Sequence, residues 1–322
     1  MISKELERVL KKQHYFIVGD HSAVQICRWT KKSLRNEGNC YKQKFYGIKS
    51  HECCQMSPSV MWCQNSCVHC WRAIKNTIGK DMKKVKINSP KEIIKGCIEG
   101  QRELLSGFKG FEKTDLKKLK QAQNPTQFAI SLSGEPTLYP KLGELINELR
   151  KRGNSTFLVT NGLLPEKLLE LKKQNALPTQ LYVSLNTINK EEYDKWHKSK
   201  QKNAWEKLNK TLEILSKLGT RTVIRITLVR DLNMSEEDAK GFAKLIEKAC
   251  PDFIEVKGFM SVGYARKRLG YGRMPDYKEV KNFSKKILKH LKDYQFLDEQ
   301  ELSRVMLLGK DKKRMKIKKS EI

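Results

Sequence analysis

The sequence has no long apolar run. No stretch reaches the roughly 18 apolar residues that a membrane-spanning helix needs, so no segment is predicted to cross a bilayer. The first residues, Met1 to Leu6, also lack the apolar core of a secretory signal peptide. We therefore expect a cytoplasmic protein whose nine cysteines are reduced, and more suited to metal binding or catalysis than to disulfides.

Acidic residues are scarce as well. The 322 residues include 36 Asp and Glu against 65 Lys and Arg, which leaves a net charge of +29. A merely solvated lysine-rich surface would carry acidic residues in similar number, and this sequence does not. The excess positive charge favours a polyanionic partner, and we expect nucleic acid rather than a membrane.

Three cysteines stand close together. Cys63, Cys67 and Cys70 form the pattern Cys-x3-Cys-x2-Cys. Thiolates hold iron–sulfur clusters, and because a complete cubane normally takes four ligands, three leave one iron open to a small molecule. Zinc is one alternative, but it prefers two pairs of ligands, and His69 is followed by no second pair. Inert buried thiols are the other alternative, and the spacing favours iron over both.

A second group of cysteines precedes the first. Cys27, Cys40 and Cys53 are separated by twelve residues each time, and Cys54 adjoins the last. A second cluster and a structural zinc site, with Cys54 or His51 as a fourth ligand, agree equally well with this spacing. Adjacent cysteines rarely serve one ion, so we take Cys54 as a bystander.

Apolar strands alternate with helices after the cysteine groups, which is typical of βαβ units and a parallel sheet. Six such strands make an incomplete barrel rather than a closed one. We predict an N-terminal extension (1–55), irregular from about 27 to 51, then an α/β partial (β/α)6 barrel (56–308) and a basic tail (309–322). The predicted barrel strands are 59–62, 127–132, 156–160, 180–185, 221–229 and 253–259.

Polar and small residues follow several of these strands. In parallel α/β sheets, ligands bind where the carboxyl ends of the strands meet. Gly134 would let the backbone approach a ligand, and Glu135 could accept hydrogen bonds from an ammonium group. The residues predicted to bind a cofactor at this rim are Ser133, Gly134, Glu135, Thr160, Asn161, Ser184, Asn186 and Arg225.

Residues 56–265 resemble the radical S-adenosylmethionine (SAM) superfamily, through the three-cysteine motif and the segments 133–136, 160–162 and 184–186. A closer resemblance covers nearly the whole chain. The segments 45–48, 50–53 and 58–72 resemble the tRNA 4-demethylwyosine synthases of the wybutosine pathway.

This resemblance implies two [4Fe–4S] clusters, with SAM bound to the first. Cys63, Cys67 and Cys70 would hold the SAM cluster, and Cys27, Cys40 and Cys53 would hold the second. The implied substrates are pyruvate and the N1-methylguanosine of tRNA(Phe). A 5′-deoxyadenosyl radical would take hydrogen from the N1-methyl group, and the resulting carbon radical would attack C2 of pyruvate. The eukaryotic relatives carry a flavodoxin-like domain for which this sequence has no room, so we expect an external electron donor of the flavodoxin or ferredoxin type. We also expect a monomer.

Pyruvate has two predicted anchors. The open iron of the second cluster could chelate its carboxylate and keto oxygens. Alternatively, a lysine could form a Schiff base with its keto carbon. Lys42, Lys44 and Lys49 are near in sequence, and the sequence does not choose among them.

The basic segment 264–273 follows the last barrel strand as a predicted loop, and we expect Arg266, Lys267, Arg268 and Arg273 to contact tRNA phosphates. The cationic tail 310–319 is either a further RNA contact or a solvated terminus. Aromatic side chains that could stack on unpaired bases are Trp29, Tyr41, Tyr46, Trp71 and Tyr264. Two other functions stay open: a different two-cluster radical SAM enzyme, such as a peptide or cofactor maturase, and a non-catalytic zinc-dependent RNA-binding protein.

Overall fold

The computed structural model describes residues 2–322, in which ten strands form one mixed sheet. The strands are β1 (Phe16–Val18), β2 (Ser22–Gln25), β3 (Cys53–Ser57), β4 (Gln127–Ile130), β5 (Ser155–Thr160), β6 (Gln180–Ser184), β7 (Arg221–Leu228), β8 (Phe253–Gly258), β9 (Gln295–Gln300) and β10 (Val305–Gly309). The helices are α1 (Lys4–Lys12), α2 (Arg28–Leu34), α3 (Tyr41–Tyr46), α4 (Pro90–Leu105), α5 (Leu116–Ala122), α6 (Leu142–Lys151), α7 (Pro165–Lys173), α8 (Lys190–His197), α9 (Ala204–Leu215), α10 (Glu236–Ala249), α11 (Gly263–Leu269) and α12 (Tyr277–Lys289).

Six consecutive strands, β3 to β8, pair in parallel and confirm the predicted partial barrel. Helices pack on the outside of this sheet over an extensive apolar core. An antiparallel pair extends each end of the sheet: β1 and β2 beside β3, and β10 and β9 beside β8. The parallel strands direct their carboxyl ends to one rim, as the prediction of the cofactor site required.

The first barrel strand differs from the predicted one. Residues 59–62 are not a strand, and Trp62 makes only an isolated bridge with Gly79. The strand is β3, in which Cys54 and Met56 are buried against the outer helices while Cys53 and Gln55 alternate to the inside. Because its inward positions are polar, β3 does not look apolar in sequence. The predicted boundary between residues 55 and 56 falls within β3, so the extension and the barrel share one sheet.

The extension is more regular than predicted, because residues 27–51 contain α2 and α3. The six-residue helix α3 is too short to be stable alone, and packing holds it in place. Tyr41, Phe45 and Tyr46 of α3 are buried in a lumen cluster, defined as the apolar side chains on the concave face of the sheet. The other buried members are Phe157, Tyr182, Val223, Phe253, Leu297, Val305, Leu307 and Met315.

The tail is packed against the barrel, which corrects the alternative of a solvated terminus. Met315 is 5% exposed and joins the lumen cluster. Ile317 N donates to the Tyr46 carbonyl at 3.1 Å, while the buried Arg221 guanidinium donates to the carbonyls of Arg314 and Met315 at 2.7 and 2.8 Å. The tail therefore closes the lumen below α3, at the amino ends of the strands.

None of the helices in residues 2–322 combines the length and the apolar content that crossing a membrane requires.

Candidate active site

The loop that carries Cys63, Cys67 and Cys70 is attached by its backbone to the rest of the rim. Ser66 N and Val68 N donate to the carbonyls of His197 and Trp196, at 2.8 and 2.9 Å, at the end of α8. From the other side, Arg268 Nε donates to the Val68 carbonyl at 3.0 Å. These bonds hold all three cysteines at the wall of one cavity.

A buried arginine accompanies these thiols. Arg72 is 2% exposed and donates to the Asn65 carbonyl at 2.5 Å and to Thr77 Oγ1 at 2.7 Å. Burial alone would lower the pKa of Arg72, but the neighbouring Cys63 and Cys70 outweigh it and raise the pKa. Burial raises the pKa of the Cys63 thiol to about 11. Arg72 would therefore offset the charge of thiolates at these positions. Sequence reasoning did not assign it this role, although it lies two residues after the motif.

Gly134 brings the loop after β4 against the cysteine loop. Its φ of +76° belongs to the left-handed region, and a Cβ at this position would lie 2.0 Å from the Ser59 carbonyl oxygen. Glu135 N donates to the Trp62 carbonyl at 2.7 Å, one residue before Cys63. Only glycine fits such an approach, so residues 133–135 and the first cysteine are held as one unit.

Glu135 is buried and organises the rim. Its carboxylate accepts from Thr137 Oγ1 at 2.6 Å, Thr160 Oγ1 at 2.7 Å and Asn161 N at 2.8 Å. Burial raises the pKa of Glu135, and these donors oppose the shift. Asn161 in turn donates from Nδ2 to Gln64 Oε1 at 3.1 Å. Four of the predicted cofactor residues (Gly134, Glu135, Thr160 and Asn161) are thus joined to the cysteine loop.

The remaining predicted residues also line the cavity: Ser133, Ser184, Asn186 and Arg225. Asn186 Oδ1 accepts from Thr227 N at 2.9 Å, which fixes its amide. The Arg225 guanidinium donates to Glu255 Oε2 at 3.0 Å and to the Tyr41 hydroxyl at 3.1 Å. The structure therefore brings all eight predicted residues to one cavity, seven of them at or just beyond the carboxyl ends of their strands and Arg225 in the middle of β7.

The cavity has a volume of about 410 Å³, a size suited to a small cofactor. Two buried polar atoms on its wall have no hydrogen-bond partner within residues 2–322: Asn65 Oδ1 and His69 Nδ1. Burial lowers the pKa of His69 to about 4, so its ring is neutral. Because unpaired buried polar groups are costly, these atoms fit a polar ligand such as SAM.

Cys27, Cys40 and Cys53 also come together, inside the lumen. Cys27 and Cys40 directly precede α2 and α3, and Cys53 begins β3. Burial, and next the neighbouring Cys27, raise the pKa of the Cys40 thiol to about 11. Cys54 is fully buried on the opposite face of β3, as a bystander should be. We call Cys27, Cys40 and Cys53 the auxiliary trio.

Neither trio is arranged to bind one ion. No three His, Cys, Asp or Glu side chains in residues 2–322 form a group that could hold a single metal ion. A cubane takes its ligands on separate iron atoms, and Cys63, Cys67 and Cys70 at the wall of the cavity fit that arrangement.

A charged network that the sequence analysis missed crosses the lumen. Glu255 is completely buried and accepts from the hydroxyls of Tyr41 and Tyr46 at 2.9 and 2.8 Å, besides Arg225. Burial would raise the pKa of Glu255, but Arg225 and Lys42 hold it below its ordinary value. The signal was present in sequence, because Glu255 and Lys257 occupy alternate positions of an otherwise apolar strand.

The three lysines proposed for a Schiff base have different surroundings. Lys44 is exposed and forms a salt bridge with Asp298 at 2.7 Å, and Lys49 is exposed and pairs with Glu52 at 2.8 Å. Lys42 instead lies in the lumen, with its amine 4.6 Å from the ring centroids of both Phe157 and Tyr182. Burial, and next Arg225, lower the pKa of Lys42, which favours the neutral amine that attacks a carbonyl.

The residues predicted to contact tRNA lie on or beside α11, which replaces most of the predicted loop 264–273. Arg266 Nε donates to the Ser261 carbonyl at 3.1 Å and its guanidinium lies over the Tyr271 ring, while Lys267 lies over Tyr264. Arg268 contacts the cysteine loop, and Arg273 pairs with Asp231 at 3.2 Å. Arg266 and Lys267 are therefore the freest of the four to contact phosphate.

Two family models match the chain. One, for the radical SAM superfamily, covers residues 113–243, and the other, for wyosine base formation, covers residues 248–310. A relative from Pyrococcus horikoshii, named S-adenosyl-L-methionine-dependent tRNA 4-demethylwyosine synthase, is 47% identical over 96% of this chain and 89% of its own length.

The chain belongs to the tRNA 4-demethylwyosine synthase family. A Methanocaldococcus jannaschii member is 40% identical over 98% of this chain and 99% of its own. An Arabidopsis thaliana member is 39% identical over 97% of this chain but only 47% of its own length. Membership in this radical SAM family confirms the use of SAM and of an iron–sulfur cluster, and it excludes the non-catalytic zinc protein.

Two solved structures of the family are similar to this one. A TYW1 structure with a lysine–pyruvate adduct bound is 38% identical, with a TM-score of 0.86 and 99% of both chains covered. The structure of an archaeal TYW1 is 36% identical, with a TM-score of 0.77 and coverage of 96% of this chain and 97% of that one. These likenesses extend over the extension, the barrel and the tail.

Proposed function

We propose that the chain condenses N1-methylguanosine in tRNA with pyruvate to form 4-demethylwyosine, using SAM and two [4Fe–4S] clusters. One arrangement carries this proposal: a polar cavity walled by Cys63, Cys67 and Cys70 shares its lumen with the auxiliary trio and Lys42. When bound, SAM and its cluster supply a 5′-deoxyadenosyl radical, and the protein orients and shields it.

Each part of the chain has a task in this proposal. The cysteine loop holds the SAM cluster, with Arg72 offsetting its thiolates. Ser133 to Glu135, with Thr160, Asn161, Ser184 and Asn186, form the SAM pocket, and the auxiliary trio holds the second cluster. Arg266 and Lys267 contact tRNA, and electrons come from an external donor.

Lys42 anchors pyruvate as a Schiff base. Its neutral amine attacks the C2 keto carbon, a C=N bond forms, and the keto oxygen leaves as water. The burial of Lys42 supports this choice over the exposed, salt-bridged Lys44 and Lys49. The solved TYW1 structure with a lysine–pyruvate adduct bound supports it as well.

Anaerobic assay of the wild type tests the function directly. We expect tricyclic base from methylated tRNA, pyruvate, SAM and a chemical reductant. Borohydride should trap pyruvate on Lys42, detected by peptide mass spectrometry. Lys42→Met should lose both the adduct and the product, whereas Lys44→Met, the matched control, should keep them. A wild-type protein that cleaves SAM but yields no tricycle would refute the proposal.

Iron analysis tests the clusters. About eight irons per chain are expected, falling to about four when Cys63, Cys67 and Cys70 are replaced by Ala. About four irons per chain in the wild type and none in that variant would mean that the auxiliary trio binds zinc or has only a structural role.

A further inference from the structure

A dense group of lysines follows the cysteine loop. Residues 75–86, which we call the lysine loop, contain one acid, Asp81, and five exposed lysines: Lys75, Lys80, Lys83, Lys84 and Lys86. Among residues 2–322, none of the five has an acidic side chain within salt-bridge distance, whereas Lys11 and Lys95 each pair with a glutamate one helical turn away. Five cations less one acid leave the loop with a net charge of +4.

The lysine loop is attached firmly to the protein beneath it. Met82 is 3% exposed and packs in the main core. Ile78 N donates to the Met61 carbonyl at 2.9 Å, and Thr77 Oγ1 accepts from the buried Arg72 guanidinium at 2.7 Å. The lysines therefore extend from a backbone of defined shape and form one basic surface.

This surface lies directly behind the first cysteine of the SAM-cluster motif. Cys63 N donates to the Gly79 carbonyl at 2.9 Å, and Trp62 forms its isolated bridge with the same glycine. One hydrogen bond thus joins the middle of the lysine loop to the backbone of a proposed cluster ligand. None of residues 75–86 lines the cavity, so the loop approaches Cys63 from outside the SAM pocket.

The position favours an electron donor over the substrate RNA. The helix α11, which carries the proposed tRNA contacts, meets the other end of the cysteine loop: Arg268 Nε donates to the Val68 carbonyl, and Tyr264 N donates to the Trp71 carbonyl at 2.9 Å. A base must enter the cavity at its rim, and the lysine loop is not part of that wall. An electron needs no opening, but its transfer slows steeply with distance, so a surface one hydrogen bond from a cluster ligand suits it.

We propose that the lysine loop docks an acidic carrier protein of the flavodoxin type, which reduces the SAM cluster by way of Gly79 and Cys63. This inference rests on the proposed function, in which electrons come from an external donor. In each encounter the anionic flavin hydroquinone loses one electron and becomes the neutral semiquinone. The cluster takes up that electron and passes from the 2+ to the 1+ state, so no proton is transferred.

Charge and shape both suit this partner. Opposite charges accelerate the encounter and orient the two proteins, and electron-transfer complexes are small, so a patch of twelve residues is sufficient. Ile78 is 40% exposed, lies next to Gly79 and is flanked by lysines in sequence. An apolar side chain within a charged rim is typical of interfaces, and it suits the apolar dimethylbenzene edge of a flavin.

The test compares two reductants. Wild type and the triple variant Lys80→Glu, Lys83→Glu, Lys84→Glu are each supplied with photoreduced flavodoxin or with dithionite, and the 5′-deoxyadenosine released from SAM is measured. At low flavodoxin concentration the flavodoxin-driven rate should fall by at least about tenfold in the variant, the lower end of the range for electrostatic steering. The dithionite-driven rate should be unchanged, because a small reductant needs no docking surface.

Carbodiimide cross-linking measures docking without catalysis. Oxidised flavodoxin should become linked through its carboxylates to Lys80, Lys83 or Lys84, as identified by peptide mass spectrometry. Raised salt should suppress these links, because it screens exposed charges.

Two further variants separate local charge from structure and from net charge. Replacing Lys80, Lys83 and Lys84 by Arg keeps the charge and should keep the flavodoxin-driven rate. The matched control changes the net charge of the protein by the same amount at exposed positions near α5 and should behave as the wild type; it replaces by Glu the residues Lys113, Lys117 and Lys120.

Several outcomes would overturn the inference while leaving the proposed function intact. They are a wild type that cleaves SAM with dithionite but not with flavodoxin, cross-links that all lie outside the lysine loop, and a triple Glu variant that keeps the flavodoxin-driven rate. If that variant keeps this rate and loses affinity for methylated tRNA, the loop is an RNA surface instead. Equal losses with both reductants would mean that the loop only supports the cluster. No SAM cleavage by the wild type with either reductant would refute the proposed function itself.

Discussion

Shortening Met315 should loosen a helix that is far from it in sequence. Met315 fills the lumen cluster beside Tyr46, the last residue of α3. Replacing a buried Met by Ala costs about 2–5 kcal/mol. The backbone bonds that tie the tail to Arg221 and Tyr46 persist in the variant, so the loss falls mainly on the closed state of the tail.

A loss of about 2–5 kcal/mol multiplies the open population of the tail by roughly thirty to four thousand, since each 1.4 kcal/mol is tenfold. Because α3 is too short to persist alone, we expect residues 41–46 to open with the tail. Cys40 and Lys42 would then lose their fixed positions.

Hydrogen exchange measured by mass spectrometry checks this expectation. Peptides covering 310–322 and 41–46 should both exchange faster in Met315→Ala, and peptides from β5 and β6 should not. Lys313→Ala, at an exposed position two residues earlier, is the control. Faster exchange in the tail with unchanged exchange in 41–46 would refute the coupling. So would a Met315→Ala protein that forms product as fast as the wild type.

Three other predictions concern the clusters and the RNA. Cys40→Ala should lose about four irons, still cleave SAM and form no tricycle; product at the wild-type rate would contradict the role of the auxiliary trio. Gly134→Ala should abolish SAM binding, measured by equilibrium dialysis, because its Cβ would meet the Ser59 carbonyl at 2.0 Å; Gly153→Ala, where the added Cβ meets no atom within 4 Å, is a control of similar φ. Raising salt from 50 to 200 mM should weaken tRNA binding by at least about tenfold, and affinity should depend less steeply on salt in the Arg266→Ala, Lys267→Ala double variant. An affinity that does not change with salt would contradict a phosphate interface.

The outer architecture could be predicted from sequence because its signals are periodic and local. Strands such as β5 and β7 are rich in Val, Ile, Leu and Phe, and helices such as α4 and α10 begin with capping boxes at Ser89 and Ser235. The cofactor rim could be predicted from these strands, because the carboxyl ends of parallel strands meet at one edge and bring their polar residues together.

The lumen could not be predicted in the same way. Its side chains come from segments far apart in sequence: Tyr41 and Tyr46 meet Glu255 across more than 200 residues. The helices α2 and α3 are too short to show a period, and β3 is polar on its inner face. Met315 and Ile317 stand among lysines and arginines, so only their tertiary contacts show that the tail is packed.

The order of the sheet has a consequence for synthesis. From β1 to β8, each strand pairs with the one made immediately before it, so the barrel can grow as the chain leaves the ribosome. The partners of α3 arrive late: Glu255, then Leu307, and last Met315. Until those residues are made, the lumen around Cys40 and Lys42 is not closed at the amino ends of the strands. The auxiliary trio is therefore among the first parts of the protein to be synthesised and among the last to be enclosed.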